Sequence, residues 1–477
     1  MSLTSVQMRP VRGVDGGIVR VDPMNVALGP TPRDRLTTAI RLGRQFVELN
    51  RPLAGLLDAT IDMRVGDSET AVIFELGSTA GAVPLVSPVT GRVVSGLLVE
   101  PRFGWPGIGA LMSEMGWTTV PTLLPVSLVP SSARQLPPWL ISAVVLDRVA
   151  ALLNGLSRRF VMRQAAVAAP RGSIDWGAYV SAQLSRGAPA SVPCRFPDLT
   201  QDLRLRGGIH FALLKEVASL EAVRHHGEYV LRLLGRARTL VNAVSDAPAV
   251  VPTAREFEAW LRADMGGQAM RDGLSAVQWV LDDRGLAGPD ALGGLAWRLP
   301  LAELFEGWLE VVVRCLQRRI GGTVRTGREL GSLVPLRWDP PYRGTQKYLL
   351  PDVVIETAEA TIVFDAKYKG HWQAFHSGPW ARAGEDVRDA HREDLLQALA
   401  YAAGQSAKRV ICVLVYPVLL ATWRDMAARG DAAYRASVVS GDRSVDLVLT
   451  GLPFAESADQ AAAKLGQVLG SQWPTTA

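Results

Sequence analysis

Between Leu349 and Lys369 the chain reads LLPDVVIETAEATIVFDAKYK: two short apolar runs, Leu349 to Ile355 and Thr361 to Phe364, joined by the polar stretch Glu356-Thr357-Ala358-Glu359-Ala360. β-rich runs divided by a polar connection of that length predict a hairpin. The hairpin constrains more than topology, because it also fixes where three charges go. Successive side chains alternate between the faces of a strand, so Asp365 and Lys367 point the same way while Ala366 points into the packing. Across the hairpin, Asp352 then approaches Asp365. Both carboxylates lie in or beside apolar runs, where an unpaired charge is costly. Two carboxylates and a backbone carbonyl at short range form a hard oxygen site suited to Mg²⁺, which keeps several of its waters. A neighbouring lysine can orient or help deprotonate an attacking water and offset phosphate charge while the metal polarises a phosphodiester. The competing reading makes Asp352 a turn residue behind Pro351 and Asp365–Lys367 an ordinary solvated pair. Burial distinguishes the two.

Downstream, His391-Arg-Glu-Asp-Leu-Leu-Gln-Ala-Leu-Ala-Tyr401 reads as a helix and Arg409 to Tyr416 as a strand. Gln397 and Tyr401 share one helix face, with Asp394 a turn earlier. Upstream, apolar residues at 301, 304, 305, 308, 312 and 315 have the spacing of an amphipathic helix, with Glu303, Glu306 and Glu310 along its other side. By themselves these glutamates read as a solvated face.

Taken together, Pro351-Asp352, Asp365-Ala-Lys367 and Gln397-x-x-x-Tyr401 resemble the PD-(D/E)xK nuclease superfamily, the last motif being similar to its RecB-like branch. The 13-residue spacing from Asp352 to Asp365, the Leu304-Phe305-Glu306 helix and the Arg392-x-Asp394-x-x-Gln397-x-x-x-Tyr401 helix further resemble the McrC family, nuclease subunits of McrBC-type modification-dependent restriction systems. Weaker similarity covers Arg171-Gly-Ser-Ile-Asp175-Trp176, Val192 to Phe196 and Leu199 to Asp202. It departs at Arg206-Gly207-Gly208, where an asparagine-containing turn is expected. The resemblance implies an α/β architecture with a C-terminal PD-(D/E)xK nuclease domain at 295–455. Before it stand a β-rich N-terminal domain at 1–125 and a mainly helical middle domain at 126–294, and a helix and tail follow at 456–477. It implies Asp352, Asp365 and Glu306 as ligands of Mg²⁺, with Mn²⁺ as a possible substitute. Lys367 would stand beside the attacking water, and Gln397 with Tyr401 would position a strand or a phosphate. The implied partners are DNA, with 5-methylcytosine a candidate mark, and an AAA+ McrB-like GTPase/ATPase hexamer that the N-terminal domain docks into.

The formal charge of +5 says little beyond tolerance of polyanions. Its distribution says more. Residues 314–347 carry eight basic side chains against Glu329 and Asp339, with Trp338 and Tyr342 interleaved, and they lead directly into the Asp352 segment. Such a run fits contact with a phosphate backbone, which makes Arg325, Arg328, Arg337, Arg343, Lys347 and Lys369 candidate DNA contacts. The alternative is arginines spent on pairs elsewhere.

No G-x-x-x-x-G-K-[ST] loop occurs, so a nucleotide-driven motor would have to be another chain. The start has no apolar h-region and no run of eighteen uncharged apolar residues appears, which predicts a cytoplasmic protein without a membrane span. Cys194, Cys315 and Cys412 read as reduced core residues. The six histidines lack zinc spacing, although His371 and His376 could face DNA. Nearer the start, strands are expected at 71–74 and 92–99, a helix at 34–50 and a turn-rich exposed segment at 103–112. Helices are expected at 136–166 and 202–243, with a capping box at Thr253-Ala-Arg-Glu256. Two other functions fit the same residues: a non-cleaving adaptor that activates a motor, and a stand-alone RecB-like repair nuclease.

Overall fold

The computed structural model describes residues 10–23, 35–66, 70–126, 137–156, 159–200, 202–262, 267–282, 294–340, 344, 346–369, 385–440, 442–454 and 456–470. The chain is mixed α/β, as its sequence predicts. It forms two compact units: 1–140 with 226–229 and 285–477, and 141–225 with 230–284. No helix among the described residues is long and apolar enough to cross a membrane.

The first unit contains a six-stranded sheet in the order Thr323–Thr326, Val353–Glu356, Thr361–Ala366, Arg409–Val418, Arg443–Pro453, Ala433–Ser440. The expected hairpin is present: Val353–Glu356 and Thr361–Ala366 pair antiparallel, with Val353 opposite Phe364. Thr361–Ala366 then pairs parallel with Arg409–Val418. A parallel pair needs a crossover, and the helix Glu385–Ala403 lies in that connection. The two central strands are buried along their length, as a sheet covered on both faces requires. The amphipathic helix upstream is Leu301–Ile320, with Leu301, Leu304, Phe305, Trp308, Val312 and Cys315 buried. It packs along the C-terminal helix Ala458–Gly470.

The β-rich N-terminal region belongs to the same unit for a specific reason. Its five-stranded sheet runs Val11–Val14, Val93–Glu100, Thr79–Val86, Trp297–Pro300, Thr122–Leu123, so it takes one strand from the segment just before the Leu301–Ile320 helix. A second sheet of three strands, Ile18–Val21, Thr70–Glu75 and Thr60–Val65, accompanies the helix Arg35–Gly55. The segment expected to be turn-rich and exposed at 103–112 is instead the helix Trp105–Glu114, with Ile108, Leu111 and Met112 buried. Gly109 serves close packing. A Cβ on Gly109 would stand 2.9 Å from the Tyr229 ring and 3.1 Å from Trp139. Gly109→Ala gains about 1 kcal/mol of helix propensity but overpacks two buried rings at roughly 1–3 kcal/mol. A net loss of up to about 2 kcal/mol is expected in urea denaturation, and a gain would show that the rings can yield.

The second unit is mainly helical, with Leu203–Ala222, Glu228–Ala243, Ala254–Arg262 and Gly267–Leu281 its principal helices. The capping box forms: Thr253 N–H donates to Glu256 Oε2 at 2.8 Å, and Glu256 N–H to Thr253 Oγ1 at 3.3 Å. One expected helix stops early. The helix is Trp139–Gly155, and Arg159–Val167 is a strand that pairs antiparallel with Val192–Thr200 over its whole length. The Arg171 to Asp175 segment is held by geometry. Gly172 has φ +65°, and a Cβ there would lie 2.4 Å from the Arg195 carbonyl. Asp175 caps the short helix after it, and Asp202 caps Leu203–Ala222. Arg206-Gly207-Gly208 is part of that helix and forms no turn. Cys194, Cys315 and Cys412 are free and buried.

Candidate active site

The expected strand from Leu349 to Ile355 is interrupted, because Leu350, Pro351 and Asp352 belong to no strand. Backbone groups left outside a sheet need other partners, and each of these three carbonyls has one. Tyr401 donates its hydroxyl to the Leu350 carbonyl at 3.3 Å, Ser332 Oγ donates to Pro351 at 2.5 Å, and Gly327 N–H donates to Asp352 at 2.8 Å. Three different elements fix the turn that carries Asp352. Its side chain then reaches across the hairpin, where Oδ2 accepts from Ala366 N–H at 2.7 Å. Extending the hairpin register by one residue from Val353 and Phe364 sets Asp352 opposite Asp365, as the alternation predicts.

The solvated-pair reading of Asp365 and Lys367 fails on burial. Asp365 is 4% exposed, and the Lys367 ammonium stands 2.5 Å from its Oδ2. Lys367 Nζ also donates to Gln397 Oε1 at 2.8 Å, and Gln397 Nε2 donates to the Tyr401 hydroxyl at 2.6 Å. A closed circuit results: Asp365, Lys367, Gln397, Tyr401, then the Leu350 carbonyl two residues before Asp352. The i, i+4 spacing of Gln397 and Tyr401 therefore holds the lysine and the Asp352 turn at once. One turn earlier, buried Asp394 accepts from Lys369 Nζ at 2.6 Å and from the Tyr416 hydroxyl at 3.2 Å. That contact fastens the same helix to the chain just beyond Lys367.

Glu306, Glu310, Gly327, Arg328, Leu350 and Asp352 line a cleft of about 190 Å³. Glu306 thus faces the site from the Leu301–Ile320 helix. Among the described residues, however, no three His, Cys, Asp or Glu side chains draw close enough to form a metal-binding cluster. Glu306 lines the same cleft as Asp352, and Arg328 opposes its charge. Burial, with the negative charge of Asp365 adding to it, pushes Asp352 up to about 7. Burial also raises Asp365, against the pull of Lys367. Burial raises Glu306, offset first by Arg328 and reinforced by Asp365. The donor set suits a hard divalent cation: oxygen ligands only, in a desolvated carboxylate pair in mutual repulsion. Two carboxylates leave most of such an ion's shell to water and substrate oxygens, which is how Mg²⁺ is usually held.

The basic run divides. Arg325 pairs with Glu356, and Lys369 with Asp394, so both charges are spent inside the protein. Arg314 pairs with Glu310, while Arg318 and Arg319 reach Asp459. Arg328 donates to the Glu303 carbonyl at 2.8 Å and stays at the cleft wall. Arg337 and Lys347 are exposed on an arm closed by pairing of Val334–Pro335 with Tyr348–Leu349, and neither forms an ion pair with a described residue. Trp338 and Tyr348 are exposed on the same arm. Tyr342, Arg343, His371 and His376 lie outside the described residues.

No protein-family model matches the chain, and no curated protein does. Solved structures do. One is a chain from the refined half-complex of a tetradecameric assembly of Thermococcus gammatolerans McrB AAA+ hexamers with bound McrC. The likeness covers 97% of this chain and 100% of that one, at 14% identity and a TM-score of 0.42. Another is a chain of the Thermococcus gammatolerans McrBC complex from cryo-electron microscopy. It matches over 64% of this chain and 88% of that one, at 14% identity and a TM-score of 0.26.

Proposed function

We propose that the chain is the metal-dependent, DNA-cleaving subunit of a motor-coupled, modification-dependent restriction complex. The observation that carries this reading is the constellation of buried Asp365 with half-buried Asp352 and Lys367, tied by Gln397 and Tyr401 into one hydrogen-bonded circuit. Buried charges are expensive, and a fold keeps them together where chemistry needs them. Asp352 and Asp365 would hold Mg²⁺, with Glu306 across the cleft acting through water. When bound, the ion supplies Lewis acidity toward a phosphodiester and lowers the pKa of a coordinated water. Lys367, already oriented by Asp365 and Gln397, offers its ammonium to a phosphate oxygen beside the carboxylates. Tyr401, its proton held tightly by burial and by Asp365, remains a neutral donor to Leu350 and keeps the turn in place.

Arg337 and Lys347 project from the arm that leads into Asp352, where they can follow a DNA backbone and deliver a strand to the cleft. Translocation would fall to an AAA+ GTPase or ATPase, because the sequence contains no P-loop, and recognition of a modified base to the same partner, because nothing in the sequence reads as a base-flipping pocket. The N-terminal sheets would dock that motor.

The test is cleavage of methylated and unmethylated supercoiled plasmid in Mg²⁺, with and without the AAA+ partner and GTP or ATP. Cleavage confined to the complete mixture and to the methylated plasmid supports the proposal. Cleavage by the chain alone replaces it with a stand-alone repair nuclease. Stimulated nucleotide hydrolysis without cleavage replaces it with an adaptor.

A further inference from the structure

Beyond Asp365 the chain leaves the sheet abruptly. Lys367 N–H still donates to the Val415 carbonyl at 2.8 Å, but Lys369 N–H turns back to the Lys367 carbonyl at 2.7 Å, so residues 367–369 form a tight three-residue turn. Its side chains go to three places. Lys367 joins Asp365 and Gln397, and Lys369 joins Asp394. Tyr368 enters an aromatic cluster with Phe103, Phe305 and Phe454, at centroid distances of 5.9, 6.1 and 6.5 Å. It is 8% exposed.

Phe103 comes from the N-terminal region, and so does a second contact. The Arg102 guanidinium lies over the Tyr368 ring, 4.7 Å from its centroid. Asp15 fixes Arg102, accepting from its backbone N–H at 2.5 Å and its Nε at 2.6 Å. Asp15 is 3% exposed and follows the strand Val11–Val14, while Arg102 follows Val93–Glu100. Two turns of the N-terminal sheet therefore meet over the single residue between the two lysines. A buried ion pair is a poor way to gain adhesion, since an apolar contact of equal size would hold at least as well. What a charge-assisted pair supplies is direction.

We propose that Arg102, held by Asp15, is a positioning residue for Lys367. By pinning the Tyr368 ring, it fixes the three-residue turn that sets the Lys367 ammonium against Asp365 and Gln397. The N-terminal sheet is then part of the catalytic centre, and a protein that grips this sheet acts on the lysine through Arg102. This inference rests on the nuclease reading above for its consequence in catalysis, but its structural half is tested separately.

The experiment compares wild type, Arg102→Ala and Arg102→Lys as full-length protein. Amine labelling of the metal-free chain, followed by mass spectrometry, reports how firmly Lys367 is held. Lys464, paired with Glu456 at 2.8 Å, serves as the internal reference. Arg102→Ala should label Lys367 several-fold faster with Lys464 unchanged, and Arg102→Lys should restore most of the protection. In plasmid cleavage with Mg²⁺ and the AAA+ partner, Arg102→Ala should lower kcat by about tenfold while KM for DNA stays fixed, as a small misplacement of one catalytic group predicts. Unchanged Lys367 labelling overturns the proposal, and so does a parallel rise at Lys367 and Lys464, which would mean general loosening. If Arg102→Ala does not fold, Asp15→Asn and Arg102→Lys carry the same comparison. A wild type that never cleaves overturns the nuclease reading and leaves the labelling result to judge the positioning.

Discussion

Asp365→Ala is expected to reduce Mg²⁺-dependent plasmid cleavage by about 10³-fold or more. Metal-based stabilisation of a phosphoryl transition state is worth several kcal/mol, and each ~1.4 kcal/mol is a factor of ten. Alanine removes more than the proposed metal ligand. The Lys367 ammonium loses the anion 2.5 Å away and keeps only Gln397, so its position loosens as well. Asp365→Asn separates the two effects, since it preserves shape and removes charge. If ion binding dominates, the asparagine variant should be nearly as inactive as the alanine one. If lysine orientation dominates, it should recover part of the rate. Single-turnover cleavage of supercoiled plasmid, alongside circular dichroism to confirm folding, decides this. Activity of Asp365→Ala within tenfold of wild type would move the chemistry away from this site.

The hairpin and its two aspartates were legible because the signal is local. Alternation along Thr361–Ala366 and the spacing across one short connection are enough to bring Asp352 to Asp365. The amphipathic Leu301–Ile320 helix was legible for the same reason, as was the common face of Gln397 and Tyr401. What these last two residues touch was not. Their contacts are with Lys367, 30 residues back, and with a backbone carbonyl, 51 residues back, and no periodicity announces a carbonyl that has left its sheet. The Arg159–Val167 strand is not legible locally, because its pairing with Val192–Thr200 is supplied by a distant segment. The glycines of 103–112 suggested turns, yet Gly109 is small to admit Trp139 and Tyr229. Net charge was a coarse guide to the basic run, because Arg325 spends its charge on Glu356 while Arg337 stays exposed. Least visible of all was Arg102, whose only sequence context is a turn far from the residues it holds.

The second large effect concerns the cost of the site to the fold. Asp352 is raised by burial and by Asp365 to about 7, above the ~3.9 of an unfolded aspartate. The folded protein therefore binds the proton more tightly than the unfolded chain. Its contribution to stability is fully present below pH ~4 and is lost as pH rises through about 7, opposite to the usual behaviour of a salt-bridged carboxylate. Asp365 is raised in the same direction, so the two acids act together. In EDTA, wild type should lose stability between pH 5 and pH 8, whereas Asp352→Asn keeps its bond from Ala366 N–H without the charge and should lose less, the remaining decline coming from Asp365. The variant should overtake wild type by on the order of 3 kcal/mol at pH 8, with a much smaller difference at pH 5. Urea denaturation at the two pH values measures this, and a pH-independent difference would mean that Asp352 is not charged at the expense of the fold. Adding Mg²⁺ at pH 8 should then stabilise wild type and leave Asp352→Asn nearly unmoved, because only a pair of carboxylates repays an ion for its lost water. The crossover in stability, together with the response to Mg²⁺, tests the carboxylate pair as a metal site without any assay of cleavage.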